Sequence, residues 1–330
     1  SYKDAKKEFE AVLLMPIPQN VRKNIEKMIQ VIESKEKNYV LNKIAIVGFG
    51  WDDNVENNTH LDKTAYGSLL LDNDTTKKED TNFHAILVGN LIVPNKQNNK
   101  LTWETTAIGY MQEQSKYKDS NIQLISLSTG LGVSSTKTKN TISMTYDHIW
   151  VAGTQMLNIY GITNNLKYKI NTQNMLAFDF IFKNKKFFDI DNKDKNSKIN
   201  EFTLNYTKTL DNKKDKINLT SSYISEMKTQ GSRTDVDKST NKYKISFDKE
   251  IIPELSFNIG YQQEINHYIK QTTNLPLRND NKITVSSKIT HPIDKKNILT
   301  LEYNNVENKS NINSYSYKKQ SVNLNYTIIF

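Results

Sequence analysis

The chain has 330 residues, of which 36% are hydrophobic and 25% charged, with a formal net charge of +9 and a mean hydropathy of −0.66. No run approaches the roughly 18 apolar residues that a transmembrane helix needs, so helical membrane spans are excluded. A transmembrane β-barrel is not, because each crossing needs only about 9–11 residues and only every second one must be apolar.

The absence of cysteine agrees with passage through an oxidising compartment and excludes a thiolate metal site. Ser1 opens a charged segment without the apolar stretch of a signal peptide, so a processed or trimmed form is expected. The positive charge sits in stretches such as Lys183 to Lys198, where lysines alternate with acids and amides. Solvated loops account for these better than a nucleic-acid surface does, and no nucleic-acid partner is expected.

In chain order, residues 1–37 read as a helical segment and 38–330 as a barrel. Ala5, Phe9, Val12 and Leu13 recur at helical spacing before Pro16 and Pro18 break the run. A second helix follows with Val21, Ile25, Met28, Ile29 and Ile32 on one face and Asn20 as N-cap. Two amphipathic helices joined by a proline turn resemble the closing unit of a tetratricopeptide-type array, with Phe9, Val21, Ile25 and Met28 as its apolar face. A small helical cap or plug on the barrel is the alternative.

From Tyr39 onward the helical period gives way to alternation. The clearest strands are Phe83–Val93, Ile142–Trp150, Leu176–Phe182, Phe202–Tyr206, Ile217–Tyr223, Tyr243–Phe247 and Leu255–Tyr261. Weaker ones lie at Tyr39–Trp51, Leu101–Met111, Ile122–Val133, Met156–Tyr168, Ile283–Ile289, Ile298–Tyr303 and Tyr315–Phe330. Together they predict an all-β fold, an antiparallel outer-membrane barrel of about fourteen strands, an even number. Connections run from the long Asp52–Thr81 through short ones such as Pro94–Asn99 and Ile252–Glu254 to longer ones such as Tyr268–Asn281. Rough alternation of short and long suits periplasmic turns and external loops, with both termini periplasmic. Tyr206, Tyr223, Tyr261, Tyr303 and Tyr326 are expected near strand ends, as an interfacial girdle.

The chain ends Val322-Asn-Leu-Asn-Tyr-Thr-Ile-Ile-Phe330, with Val322, Leu324, Tyr326, Ile328 and Phe330 on one parity. A final strand ending on an aromatic resembles the assembly signal of bacterial outer-membrane barrels, which assigns Tyr326, Ile328 and Phe330 to recognition by the barrel assembly machinery. Taken alone, this segment fits the last strand of a soluble sandwich equally well.

The most distinctive local stretch is Gly48-Phe-Gly50-Trp51-Asp52-Asp53-Asn54-Val-Glu-Asn-Asn58. A glycine-rich first strand running into Asp-x-Asn-Val-x-Asn resembles the corresponding stretch of the surface lipoprotein assembly modifier family. The helices of Ala5–Glu33 resemble the unit that precedes the barrel there. The resemblance implies a monomeric barrel in outer-membrane lipid, entered from periplasmic helices, that delivers lipoprotein cargo to the cell surface. A porin or polysaccharide-export channel is the second reading, and an outer-membrane enzyme or adhesin the third.

Little else points to chemistry. Gly48-x-Gly50 lacks the Lys-Ser/Thr of a phosphate loop. Asp52 and Asp53 fit turn formation better than calcium, as does Asp189-x-Asp191-x-x-Asp194. Asp147 and His148 are strand neighbours on opposite faces, and His60, His84, His267 and His291 show no metal spacing. No catalysis, cofactor or metal is expected.

Overall fold

The computed structural model describes residues 2–13, 19–36, 39–98, 100–210 and 214–330. Two helices, α1 (Tyr2–Leu13) and α2 (Gln19–Glu36), come first and touch each other. Ile25 is buried, Phe9 is half-buried, and Val21 and Met28 stay exposed, so the expected apolar face is only partly covered. The turn expected at Pro16 and Pro18 and the boundary at residues 37 and 38 lie outside the described residues, as does the Asn20 side chain.

The remainder is one closed antiparallel barrel with a small hairpin in its first loop. Its strands are β1 (Val40–Asp52), β4 (Asp80–Pro94), β5 (Leu101–Gln114), β6 (Ile122–Ser134), β7 (Thr138–Val151), β8 (Thr154–Lys169) and β9 (Asn174–Phe187). They continue as β10 (Ser197–Thr209), β11 (Lys216–Lys228), β12 (Lys238–Ile252), β13 (Leu255–Tyr268), β14 (Asn279–Pro292), β15 (Asn297–Ser310) and β16 (Tyr317–Ile329). The hairpin, β2 (Lys63–Tyr66) with β3 (Leu69–Asp72), was read from sequence only as loop. Each barrel strand pairs with its neighbours in sequence, and β16 pairs back onto β1, so no edge is left for association with another chain.

The register decides which side chains face in. Phe49 (68% exposed), Leu87 (64%) and Met144 (70%) point outward with Trp103, Leu131, Phe182 and Leu301, whereas the buried side chains include Asp52, Asn82, His84, Ser143, Thr203, Glu226 and Thr240. This inverts the rule for a water-soluble protein, in which the apolar parity is inside. A soluble sandwich is therefore ruled out, and a wall with apolar outside and polar inside is what lipid requires.

One end of the wall carries the short connections that follow β4, β6, β8, β10, β12 and β14, and both the start of β1 and the end of β16 lie there. The other end carries most of the longer loops, and the sharpest departure from the expected alternation is also there. β7 and β8 are joined by Ala152 and Gly153 alone, both at positive φ (50° and 77°). Two consecutive left-handed residues make the tight turn whose twist suits a hairpin.

The expected girdle needs correction. Tyr206 and Tyr326 sit near strand ends at the short-turn rim, where their hydroxyls donate to Asn174 Oδ1 (2.5 Å) and Asn297 Oδ1 (2.8 Å). Tyr223, Tyr261 and Tyr303 lie in mid-strand. The strands are longer than their apolar patterns, because backbone pairing around a closed wall continues through the polar residues that flank each pattern.

Candidate functional site: the closing seam and the lumen wall

The two chain ends of the barrel meet along Ile44–Asp52 of β1 and Ser321–Ile329 of β16. At the short-turn end Phe330 N–H donates to Lys43 O (3.1 Å), and the Lys43 ammonium lies 5.8 Å from the Phe330 ring centre. At the opposite end the Asp-Asp-Asn run closes the seam. Lys319 Nζ lies 2.6 Å from Asp52 Oδ2, Asp53 Oδ1 accepts from Gln320 N–H (2.7 Å), and Lys77 Nζ donates to Asp53 Oδ2 (2.5 Å). Asn54 is 0% exposed; its amide donates to Asn58 O (2.9 Å) and Lys318 O (3.0 Å), while its oxygen accepts from Asn58 N–H (2.8 Å). Asp52 Oδ1 accepts the Asn54 N–H. The motif is thus a polar clip that fastens the first loop to β16, and Lys319, Lys77 and backbone N–H groups occupy the carboxylates that the calcium reading would have used. Among the described residues no cluster of three or more His, Asp or Glu could hold a metal ion.

Gly48 and Gly50 face the lumen beneath this clip. A Cβ at Gly48 would lie 2.3 Å from Asn325 Oδ1 and 2.5 Å from His84 Nε2, and one at Gly50 would lie 2.4 Å from Asn323 Oδ1 and 2.7 Å from Asn82 Nδ2. The two glycines therefore let four polar side chains from β4 and β16 lie down over β1. His84 is held between Asn325 Oδ1 (2.6 Å) and Asn82 Oδ1 (3.1 Å). Trp51 points outward, in register with Val322 and Thr81, and has no part in this cluster. Sequence reasoning found the glycines but not His84, Asn323 or Asn325 as their partners, because His84 and Asn325, which meet across β1 from the strands on either side of it, are 241 residues apart in the chain.

Elsewhere the lumen wall is a mosaic of ion pairs and amides. Lys139 meets Glu104 (2.7 Å), Lys183 meets Asp147 (3.5 Å), and Glu226 sits between Lys185 and Lys238. Asp147 points inward and accepts from Ser126 Oγ (2.6 Å), whereas His148 points outward against Trp150 and Asn158, so the two share no site. Asp189 caps a short 3-10 turn at Ile190–Lys195, as expected of a solvated loop.

The long-loop rim above β12–β16 is held by ring stacking and ion pairs. The Arg278 guanidinium stacks on Tyr315 (3.4 Å to the ring centre) and Tyr268 (4.5 Å) and grips Asp280 through Nη2 at 2.6 Å, a geometry that lysine cannot make. Burial by itself would raise the Asp235 and Asp237 carboxyls, but hydrogen bonds from Arg233 and Lys270 outweigh it and hold both below the ordinary value of 3.8. Their native values being depressed, these carboxylates contribute stability that is present above about pH 4 and lost as pH falls through the lowered values. Loops 229–237 and 269–278 are accordingly expected to become more accessible to an acid-active protease below that window, while the barrel itself stays closed. Cleavage that is equal at pH 3 and pH 6, at matched protease activity, would contradict this.

A closed wall with apolar outer parity, polar lumen and both chain ends at the short-turn rim defines a transmembrane β-barrel of the outer-membrane type. No protein-family model and no curated protein matches the chain. Solved structures match over most of the chain. A FadL homologue of Pseudomonas aeruginosa is 9% identical at TM-score 0.51, covering 87% of this chain and 90% of that one. The outer membrane channel DcaP of Acinetobacter baumannii is 10% identical at TM-score 0.52, covering 88% and 97%. At such identities the likeness establishes the fold and nothing finer.

Proposed function

We propose that the chain is an outer-membrane channel for small water-soluble solutes. The observation that carries this is the inversion of the wall, with lipid-compatible Phe49, Leu87 and Met144 outside and Asp147, Lys183, Glu226 and the asparagines inside. A lumen lined by ion pairs and amides stays hydrated, and hydration is what conduction needs. DcaP, described as a channel, shares the fold and supports the reading. The short-turn rim is then periplasmic, with α1 and α2 on that side and the clipped first loop outside. The barrel works as a single chain in lipid and uses no cofactor or catalytic step. Purified protein in planar bilayers is expected to give stable ohmic conductance, and a sealed barrel at all voltages would overturn the channel reading.

A second reading, delivery of lipoproteins to the surface, is favoured by one specific observation. The residues that resemble the assembly modifier family, Gly48 to Asn58, supply one side of the long-loop half of the seam and the clip above it, on the first strand after the helical segment. Protease accessibility of neighbouring lipoproteins on intact cells, with and without the protein, separates the two. Loss of surface exposure together with a sealed barrel would replace the channel reading by this one.

Tyr326, Ile328 and Phe330 serve assembly in either case. Tyr326 and Ile328 share the outward parity of β16, and Phe330 closes the strand through Lys43. Deleting Phe330 is expected to lower the amount of folded barrel in the membrane several-fold without changing the unit conductance of what remains. Wild-type levels of folded protein would sink this assignment.

A further inference from the structure

The lumen wall over Gly48 and Gly50 holds a recess of about 520 Å³ reached by side chains from β1, β4, β5, β14, β15 and β16. This lies inside the range of roughly 300–1,000 Å³ typical of small-molecule sites. The glycines make it, since any Cβ on them would lift Asn82, His84, Asn323 and Asn325 off the wall and into the space.

Its chemistry is neutral as a whole. Asp52 is held by Lys319 (2.6 Å) and by Asn54 N–H (2.9 Å), so that charge is spent. Lys288 and Glu302 stand opposite each other in register on β14 and β15 and cancel, and Glu302 accepts from Asn304 Nδ2 (2.9 Å). A solute with net charge gains nothing from such a balanced wall. What remains is mostly polar and uncharged, side-chain amides with the His84 ring and several hydroxyls beside the apolar Ile46 and Ile86; among the hydroxyls, that of Tyr110 donates to Gln112 Oε1 (2.5 Å). Each amide offers an acceptor and a donor side by side, which matches neighbouring hydroxyl groups that both donate and accept.

We propose that this recess is a binding site for a neutral polyhydroxylated solute, a saccharide, on its way through the lumen. The proposal rests on the channel reading. Maltose serves as the probe and zwitterionic glycylglycine as the comparator, both titrated calorimetrically into detergent-solubilised barrel whose folding is checked by heat-modifiable gel migration. Maltose is expected to bind at millimolar concentration. Removing two amides in Asn323→Ala/Asn325→Ala should weaken it by about tenfold, the scale of one or two lost hydrogen bonds. Removing the charges but not the hydrogen-bonding groups, in Lys288→Gln/Glu302→Gln, should weaken it by less than about threefold. Tyr110→Phe, which deletes one hydroxyl, gives a second reading of the same site should the asparagine variant fail to fold, with a loss of about threefold expected.

Absence of maltose binding by folded wild-type barrel would overturn the proposal, as would unchanged affinity in the folded asparagine variant, or in Tyr110→Phe where that variant does not fold. Binding of glycylglycine that disappears in Lys288→Gln/Glu302→Gln would replace it with a zwitterion site. Conductance of the same preparation separates the two levels. A conducting barrel that ignores maltose defeats the site alone, and a maltose-binding barrel that never conducts defeats the channel reading alone.

Discussion

Replacing Gly130 and Gly161 by valine is expected to abolish the closed barrel, the largest effect of any substitution considered for this chain. Both face the lumen at points where the neighbouring strand curls tightly against them. A Cβ at Gly130 would lie 1.9 Å from Ile142 O on β7, and one at Gly161 would lie 2.0 Å from Phe182 O on β9. The obstructing atoms are backbone, so no rotamer change relieves the clash, and two strand pairs must move. Overpacking typically costs about 1–3 kcal/mol even where side chains can yield, and two distant sites add. Heat-modifiable gel migration of the double variant should show no folded species, with each single alanine variant melting earlier than wild type. Gly89 and Gly109 are the controls, because a Cβ there meets nothing within 4 Å. Alanine at both should fold normally; a folded valine double variant would show that the wall relaxes at Gly130 and Gly161.

Asn54→Ala should leave the barrel closed but release its first loop. The substitution removes three hydrogen bonds from a fully buried side chain and strands the carbonyls of Asn58 and Lys318 and the N–H of Asn58. An unpaired group costs up to about 1–3 kcal/mol where it is buried and less where, as at Asn58 and Lys318, it is partly exposed; the three together are expected to loosen a loop held otherwise by contacts at Asp53, Thr59, Lys63 and Gly67. Limited proteolysis should then cut within 55–79, near the exposed Leu69, Leu70 and Leu71, at least tenfold faster than in wild type. Asn54→Asp should not rescue, because a carboxylate cannot donate to the two carbonyls and adds a charge beside them. Equal cleavage of wild type and both variants would mean that the clip is not what holds the loop.

Much of the architecture was legible as alternation. Phe83, Ala85, Leu87, Leu91 and Val93 share the outward face of β4 as the pattern implied, and each of the fourteen expected strands corresponds to one barrel strand. Strand ends were not legible, because the polar stretches that continue a ladder look like those that begin a loop. The β2–β3 hairpin was missed for a related reason: its Leu69-Leu70-Leu71 run does not alternate and both its faces are exposed. Nor does the short turn at Ala152–Gly153 follow from a rule about long external loops; it depends on two left-handed residues in succession.

The class of fold, the shared parity of the apolar residues and the glycines of the first strand were legible in the chain alone, since those depend on the two-residue period of a strand and on residues close together in the chain. What the glycines and the Asp-Asp-Asn run touch, and that the apolar parity faces outward, emerges from the closed barrel. Closure brings β16 against β1, so that Asn325 reaches His84, Lys318 reaches Asn54 and Lys319 reaches Asp52 across nearly the whole length of the chain. That juxtaposition is a property of the closed ladder, whose register is set by every strand pair around the wall together, and no local pattern carries it.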